Sequence, residues 1–166
     1  MRRSAASRSA ACCIAIVFGT LCTVDPDAAA PNEQFTQPQR DYILACAGCH
    51  GMSGISNSEL VPTLKGLVGF YLNFAAGRAY LSRLPNVAFS TLNDAQLAAV
   101  LNYVVFDIGD GSAPAGTRLY GATEVGKWRR QPLTEVTLSE YRRQLVETLI
   151  KDYQAPEALR GYSARP

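Results

Sequence analysis

The stretch Cys46-Ala47-Gly48-Cys49-His50-Gly51 contains the only histidine of this 166-residue chain. Two cysteines three positions apart, followed at once by a histidine, form the attachment pattern for c-type haem. Each thiol can add to one vinyl group at a porphyrin edge, and the imidazole then faces the iron. The stretch therefore predicts one covalent haem c, held by Cys46 and Cys49, with His50 as the metal ligand.

Two other sites use a similar cysteine pair. A thioredoxin-like redox pair needs no following histidine. Zinc takes about four ligands, whereas this stretch offers three and no Cys or His follows it. Haem fits the stretch better than either alternative.

The first 30 residues carry the other three cysteines and have the pattern of a secretory signal. Three arginines precede a mostly apolar run over residues 10–24, and three alanines follow at positions 28–30. This order of charge, apolar run and small residues predicts a signal peptide over residues 1–30, which is removed on export to the periplasm. Cys46 and Cys49 would then be the only thiols of the mature chain.

Three variants of export are less well supported. Ser-Ala-Ala-Ser follows the Arg2-Arg3 pair, where a twin-arginine signal favours apolar residues. Leu21 precedes Cys22, where a lipoprotein requires a small residue. The apolar run is shorter than the roughly 20 residues of a spanning helix, which argues against an uncleaved anchor. No later run is long enough to span, so we expect no membrane span in the mature chain.

Composition excludes one class of partner. The whole chain has a net charge of +2, and loss of the signal's three arginines and two aspartates leaves about +1. So weak a positive charge gives no support to a nucleic-acid partner. One attachment motif and no internal repeat indicate a single haem.

The remaining sequence predicts a mainly α fold. Thr36 with Gln39, and Asn93 with Gln96, have the spacing of capping boxes that open helices. Apolar residues after the second box recur at i, i+3, i+4 and i+7, which predicts one buried helical stripe. These residues are Leu97, Val100, Leu101 and Val104.

Residues 36–106 resemble the class I cytochrome c family. The resemblance is carried by the attachment stretch, by Pro62-Thr63-Leu64-Lys65-Gly66 with Tyr71-Leu72, and by the helix that Leu92-Asn93-Asp94 introduces. It implies a cytochrome c-like helical domain over residues 31–106, in which haem lies in a crevice with one edge exposed. It also implies that the carbonyl of Pro62 accepts the Nδ1 hydrogen of His50 and so orients the ring.

The chain departs from this family at the second axial ligand, which is usually a methionine before the last helix. Its only methionines are Met1 and Met52. Met52 is two residues from His50, a reach of at most roughly 7 Å, and cannot wrap to the other haem face. Leu84 or Val87 stands where the methionine is expected, so we expect the sixth position to be open or unusually filled.

Several side chains are candidates near that position. Lys65 follows Pro62 closely and is expected on the side of His50. Tyr80, Arg83 and Asn86 come from the segment expected on the other side, and of these Tyr80, as tyrosinate, is a credible ligand.

The resemblance ends at Phe106. Residues 107–122 are predicted as a Gly-rich loop, and residues 123–166 as a helical C-terminal extension with helices near 123–130 and 137–153. Its clusters Trp128-Arg129-Arg130 and Tyr141-Arg142-Arg143 either dock an acidic partner surface or pair a packed aromatic ring with a solvated basic face. We favour the second interpretation.

Two functions remain. The first is a one-electron carrier that takes electrons from a periplasmic dehydrogenase and passes them to a cytochrome or oxidase. The second is a haem protein with an open sixth site, acting as a gas or ligand sensor or as a peroxidase-like enzyme. The first is favoured, since no distal histidine or other acid–base residue is evident to assist chemistry at iron.

Overall fold

The computed structural model describes residues 35–58 and 60–162, without the side chain of Tyr162. The predicted signal peptide lies outside these residues. The described chain is mainly α-helical and contains no strand, which confirms the predicted fold class. Its α-helices, in chain order, are α1 (Gln37–Ala45), α2 (Ala47–His50), α3 (Ala75–Arg83), α4 (Pro85–Ala88), α5 (Asp94–Asn102), α6 (Ala122–Arg129) and α7 (Leu138–Tyr153).

Three shorter segments complete the fold. Val68–Asn73 is a 3-10 helix that precedes α3, and Glu157–Tyr162 is a 3-10 helix that follows α7. Tyr103–Ile108 continues α5 as a π-helix. Residues 109–121 form turns and irregular chain before α6.

Both predicted helix starts are present. The side-chain oxygen of Gln39 accepts from the backbone N–H of Thr36 at 2.7 Å, at the start of α1. The side chain of Asn93 accepts from the N–H of Gln96 at 2.9 Å, and the Gln96 side chain accepts from the N–H of Asn93 at 3.1 Å. This reciprocal pairing satisfies N–H groups that the first turn of α5 leaves without helical partners.

The predicted apolar stripe of α5 is the centre of the core. All four of its members are buried. The helix packs against α1, and the ring of Tyr42 meets that of Tyr103 edge to face, with centroids 5.6 Å apart. The first helix and the helix before the Gly-rich loop are therefore in contact, as the resemblance implied.

The C-terminal segment packs into this same core. Helix α6 contacts α5 and α3, and α7 contacts the Val68–Asn73 3-10 helix. Among the described residues, no helix has both the length and the apolar character needed to cross a bilayer. The segment contributes these buried residues to the cluster around α5: Val125, Leu133, Leu145, Val146, Leu149, Ala155 and Leu159.

A glycine sets the distance between the Val68–Asn73 3-10 helix and α3. A Cβ atom on Gly77 would overlap the backbone carbonyl oxygen of Tyr71. Because glycine has no Cβ, the two segments approach closely. The rings of Tyr71 and Tyr80 then stack, with centroids 5.3 Å apart and an interplanar angle of 25°.

Candidate haem site

The attachment stretch is a short helical turn directly after α1. The backbone N–H groups of Cys49 and His50 both donate to the carbonyl of Cys46, at 3.2 and 3.1 Å. Residues three and four apart lie on one face of such a turn. The side chains of Cys46, Cys49 and His50 accordingly line one cavity.

The end of this turn is held in place by α1. Gly51 has a φ of +74°, a left-handed conformation that favours glycine. Its carbonyl accepts a hydrogen bond of 2.7 Å from the hydroxyl of Tyr42, which is almost fully buried. The turn is thus tied to the core one residue after His50.

The two thiols are separate and one is partly buried. No disulfide joins Cys46 to Cys49. Burial, and secondarily the neighbouring Cys49, raise the pKa of Cys46 to about 11. At neutral pH the Cys46 side chain is therefore a neutral thiol.

The imidazole of His50 is oriented by a backbone carbonyl. Its Nδ1 lies 3.0 Å from the carbonyl oxygen of Pro62, which can only accept, so Nδ1 carries the hydrogen. Burial lowers the pKa of His50, against the opposite effect of this hydrogen bond. The neutral ring leaves the Nε2 lone pair available to a metal.

The cavity has a volume of about 570 Å³, within the range of sites for organic ligands. Aliphatic side chains dominate its wall, and Cys46, Cys49, His50 and Pro62 all lie in it. The hydroxyl of Tyr71 is buried there without a hydrogen-bond partner. Two thiols, one oriented imidazole and an apolar wall match the chemistry of haem c. The aliphatic residues are Leu64, Leu67, Val68, Leu81, Leu84, Val87, Leu92, Leu97, Val100, Leu101, Val104 and Leu159.

Known proteins support the same assignment. No protein-family model matches the chain. It is 30% identical over 118 residues to cytochrome c-552 of Thermus thermophilus, an alignment that covers 60% of this chain and 90% of that protein. A second cytochrome c-552, from another strain of that species, is also 30% identical, with 80% of its length covered.

The chain belongs to the c-type cytochrome family. Cytochromes c bind haem c and exchange electrons with redox partner proteins. The cavity of this cytochrome therefore has a defined cofactor class.

The side chains weighed for the sixth position fall into two groups. Tyr80, which is buried, and Asn86 line the cavity. Met52 is 57% exposed and lies outside the lining. Lys65 also lies outside it, with its ammonium 3.9 Å from the carboxylate of Asp110. The guanidinium of Arg83, also outside the lining, donates to the carbonyl of Gln131 at 2.7 Å.

One residue of the C-terminal segment was assigned to the wrong environment. The sequence predicts a solvated face for Arg142, but this side chain is only 4% exposed and lines the cavity of the cytochrome. Its Nη2 donates to the carbonyl of Leu159 at 3.0 Å. The neighbouring Arg143 is exposed and pairs with Glu140 at 2.6 Å, as a solvated face requires.

A helical stripe was the missed signal. Arg142, Leu145, Val146 and Leu149 have i, i+3, i+4, i+7 spacing, and all four are buried. The charge of Arg142 hid its place in this stripe.

Arg129 is also buried in contacts rather than solvated. Its guanidinium donates to the carbonyls of Ala88, Ser90 and Leu92 at 2.6 to 2.9 Å, and lies 3.3 Å from the carboxylate of Asp94. Helix α6 therefore holds the chain that leads into α5. Several residues just before this segment, including Leu84 and Val87, line the cavity.

Proposed function

We propose that this cytochrome is an exported, periplasmic one-electron carrier with a single haem c. Cys46 and Cys49 would attach the haem covalently, and His50 would bind its iron. The observation that carries the proposal is the convergence of these three side chains on one apolar cavity, with the imidazole oriented by Pro62.

Each described residue has a physical part in this function. Bound haem supplies one reversible oxidation step. His50 donates its Nε2 lone pair, and Pro62 fixes the ring through Nδ1. The aliphatic wall excludes water from the macrocycle, which limits reorganisation when charge changes.

The second axial position has no methionine in this proposal. The described residues that line the cavity include no methionine and no histidine besides His50, and the chain has no other histidine. Since methionine ligation raises the reduction potential, its loss lowers the potential of this cytochrome.

The partners would be a periplasmic dehydrogenase as electron donor and a cytochrome or oxidase as acceptor. A redox titration of the purified holoprotein tests the carrier function. We expect a reversible one-electron transition and fast electron exchange with a second cytochrome when carbon monoxide is excluded. A protein that turns over peroxide faster than it exchanges electrons would contradict the carrier function.

A ligand-binding or peroxidase-like haem protein is the second candidate function. It is favoured by two polar residues in the cavity, Tyr71 and Arg142, beside a sixth position that lacks methionine. If that position is open, the reduced protein binds carbon monoxide without an unfolding step. A fully low-spin oxidised protein that refuses carbon monoxide would contradict an open position, and Tyr80→Phe would then be the first test for the bound side chain.

A further inference from the structure

The cavity wall away from the attachment stretch carries a cluster of polar groups that electron transfer does not require. Tyr71 lies in the Val68–Asn73 3-10 helix and Arg142 in α7, and these two helices pack against each other. Both side chains line the cavity and both are about 4% exposed.

Tyr71 offers a hydrogen bond that no described group uses. Its hydroxyl is buried without a partner. Burial raises the pKa of Tyr71, an effect that the nearby charge of Arg142 opposes, so the hydroxyl stays protonated at neutral pH. Its ring is held by the stack on Tyr80, which keeps the hydroxyl in the cavity.

Arg142 adds a fixed positive charge to the same wall. A guanidinium remains protonated at any ordinary pH and presents several N–H donors in one plane. One of them is used by Leu159, whose carbonyl keeps the side chain in the cavity. None of the described lining residues is Asp or Glu, so the wall favours an anion.

We infer that Tyr71 and Arg142 form a binding site for a small anion, which would occupy the open sixth position of the iron. The inference rests on the proposed haem site at His50. Tyr71 would donate its hydroxyl hydrogen to the anion, and Arg142 would supply charge and a further N–H. The C-terminal segment thereby becomes part of the ligand pocket.

Azide and fluoride titrations of the oxidised holoprotein, followed by visible absorption, test this site. We expect Arg142→Gln to weaken azide binding at least tenfold and Tyr71→Phe to weaken it about threefold to tenfold. Carbon monoxide, which is neutral, should bind the reduced variants within about threefold of wild type. Arg143→Gln, an exposed neighbour of Arg142, is the matched control and should leave the azide dissociation constant unchanged.

Two further variants separate the site from general damage. Arg142→Lys keeps the charge and should retain part of the affinity. Tyr71→Phe removes one oxygen atom and leaves the stack on Tyr80, so it carries the test if Arg142→Gln fails to fold.

The inference is overturned if the wild type binds neither anion, or if Tyr71→Phe and Arg142→Lys both bind azide like the wild type. It is also overturned for Arg142 if Arg142→Gln shifts only the reduction potential, since the guanidinium would then serve the haem carboxylates. These outcomes leave the proposed carrier function intact, whereas absence of covalent haem would remove the carrier function itself.

Discussion

The attachment stretch and the C-terminal segment reach the same cavity in different ways. Residues 46–51 bring two thiols and an imidazole together within one helical turn, so their chemistry is legible in six consecutive letters. Arg142 reaches the cavity only because α7 packs on the Val68–Asn73 3-10 helix. Local geometry specifies the first site, and tertiary packing specifies the second.

The two regions also differ in how they are held. The attachment turn is fixed by backbone hydrogen bonds and by Tyr42. The C-terminal segment is held by buried apolar residues and by charged side chains, with Arg129 on the chain before α5 and Glu124 on Arg78. The predictions below act on one region at a time.

The largest effect is expected at the attachment turn. Cys46→Ala together with Cys49→Ala should abolish covalent haem, because both thioether bonds are lost. Haem staining after denaturing electrophoresis measures this. Met52→Leu, which alters an exposed residue outside the cavity, should keep the haem and leave its spectrum unchanged. Haem retained on the double variant would contradict the attachment.

Arg129→Ala should cause the largest loss of stability in the C-terminal segment. It removes hydrogen bonds to three backbone carbonyls, and hydrogen bonds to charged groups each contribute roughly 1.5 to 3 kcal/mol without adding fully. We expect the free energy of unfolding to fall by about 4 kcal/mol in a denaturant titration.

Arg130→Ala is the matched control for Arg129. The Arg130 side chain is 71% exposed and its contact with Asp94 is 3.7 Å long. An exposed pair of this kind contributes about 0 to 1 kcal/mol. Equal losses for the two variants would show that Arg129 has no special part in holding the chain before α5.

The sequence predicted the attachment residues, the capping boxes and the stripe of α5, because each depends on spacing within one helix. It misplaced Arg129 and Arg142, whose partners are 17 to 41 residues away along the chain. Charge indicates solvent exposure only when no distant carbonyl or cavity receives the side chain. The stripe that contains Arg142 was visible, but only packing reveals that an arginine belongs to it.

Glu124 makes the C-terminal segment sensitive to acid. Burial acts to raise its pKa, but hydrogen bonds from Arg78 and Arg118 outweigh this and lower the pKa of Glu124 to about 2. A lowered carboxylate pKa stabilises the fold above the unfolded value of 4.5, and this stability is lost as pH falls from there to about 2.

We expect Glu124→Gln to lower the free energy of unfolding at pH 7 by about 2 to 3 kcal/mol. The gap between variant and wild type should narrow as pH falls through this window. Unfolding titrations at several pH values measure it. A gap that stays constant down to pH 2 would rule out this ion pair as the source of the acid sensitivity.

Tyr42→Phe should have the smallest effect. It removes the hydrogen bond to Gly51 and leaves that carbonyl without this donor. We expect the free energy of unfolding to fall by about 1 kcal/mol, with haem attachment retained. Phe89→Leu, at a residue that is 67% exposed, is a control for a ring that has no such bond and should change stability little. No loss of stability in Tyr42→Phe would mean that backbone bonds alone fix the turn.

The intact mass of the mature protein under denaturing conditions tests the haem assignment most directly. We expect a chain that begins near residue 28 to 32, with the mass of one haem added and no thiol left to react with an alkylating reagent. A chain with two alkylated cysteines and no added haem would contradict covalent attachment through Cys46 and Cys49.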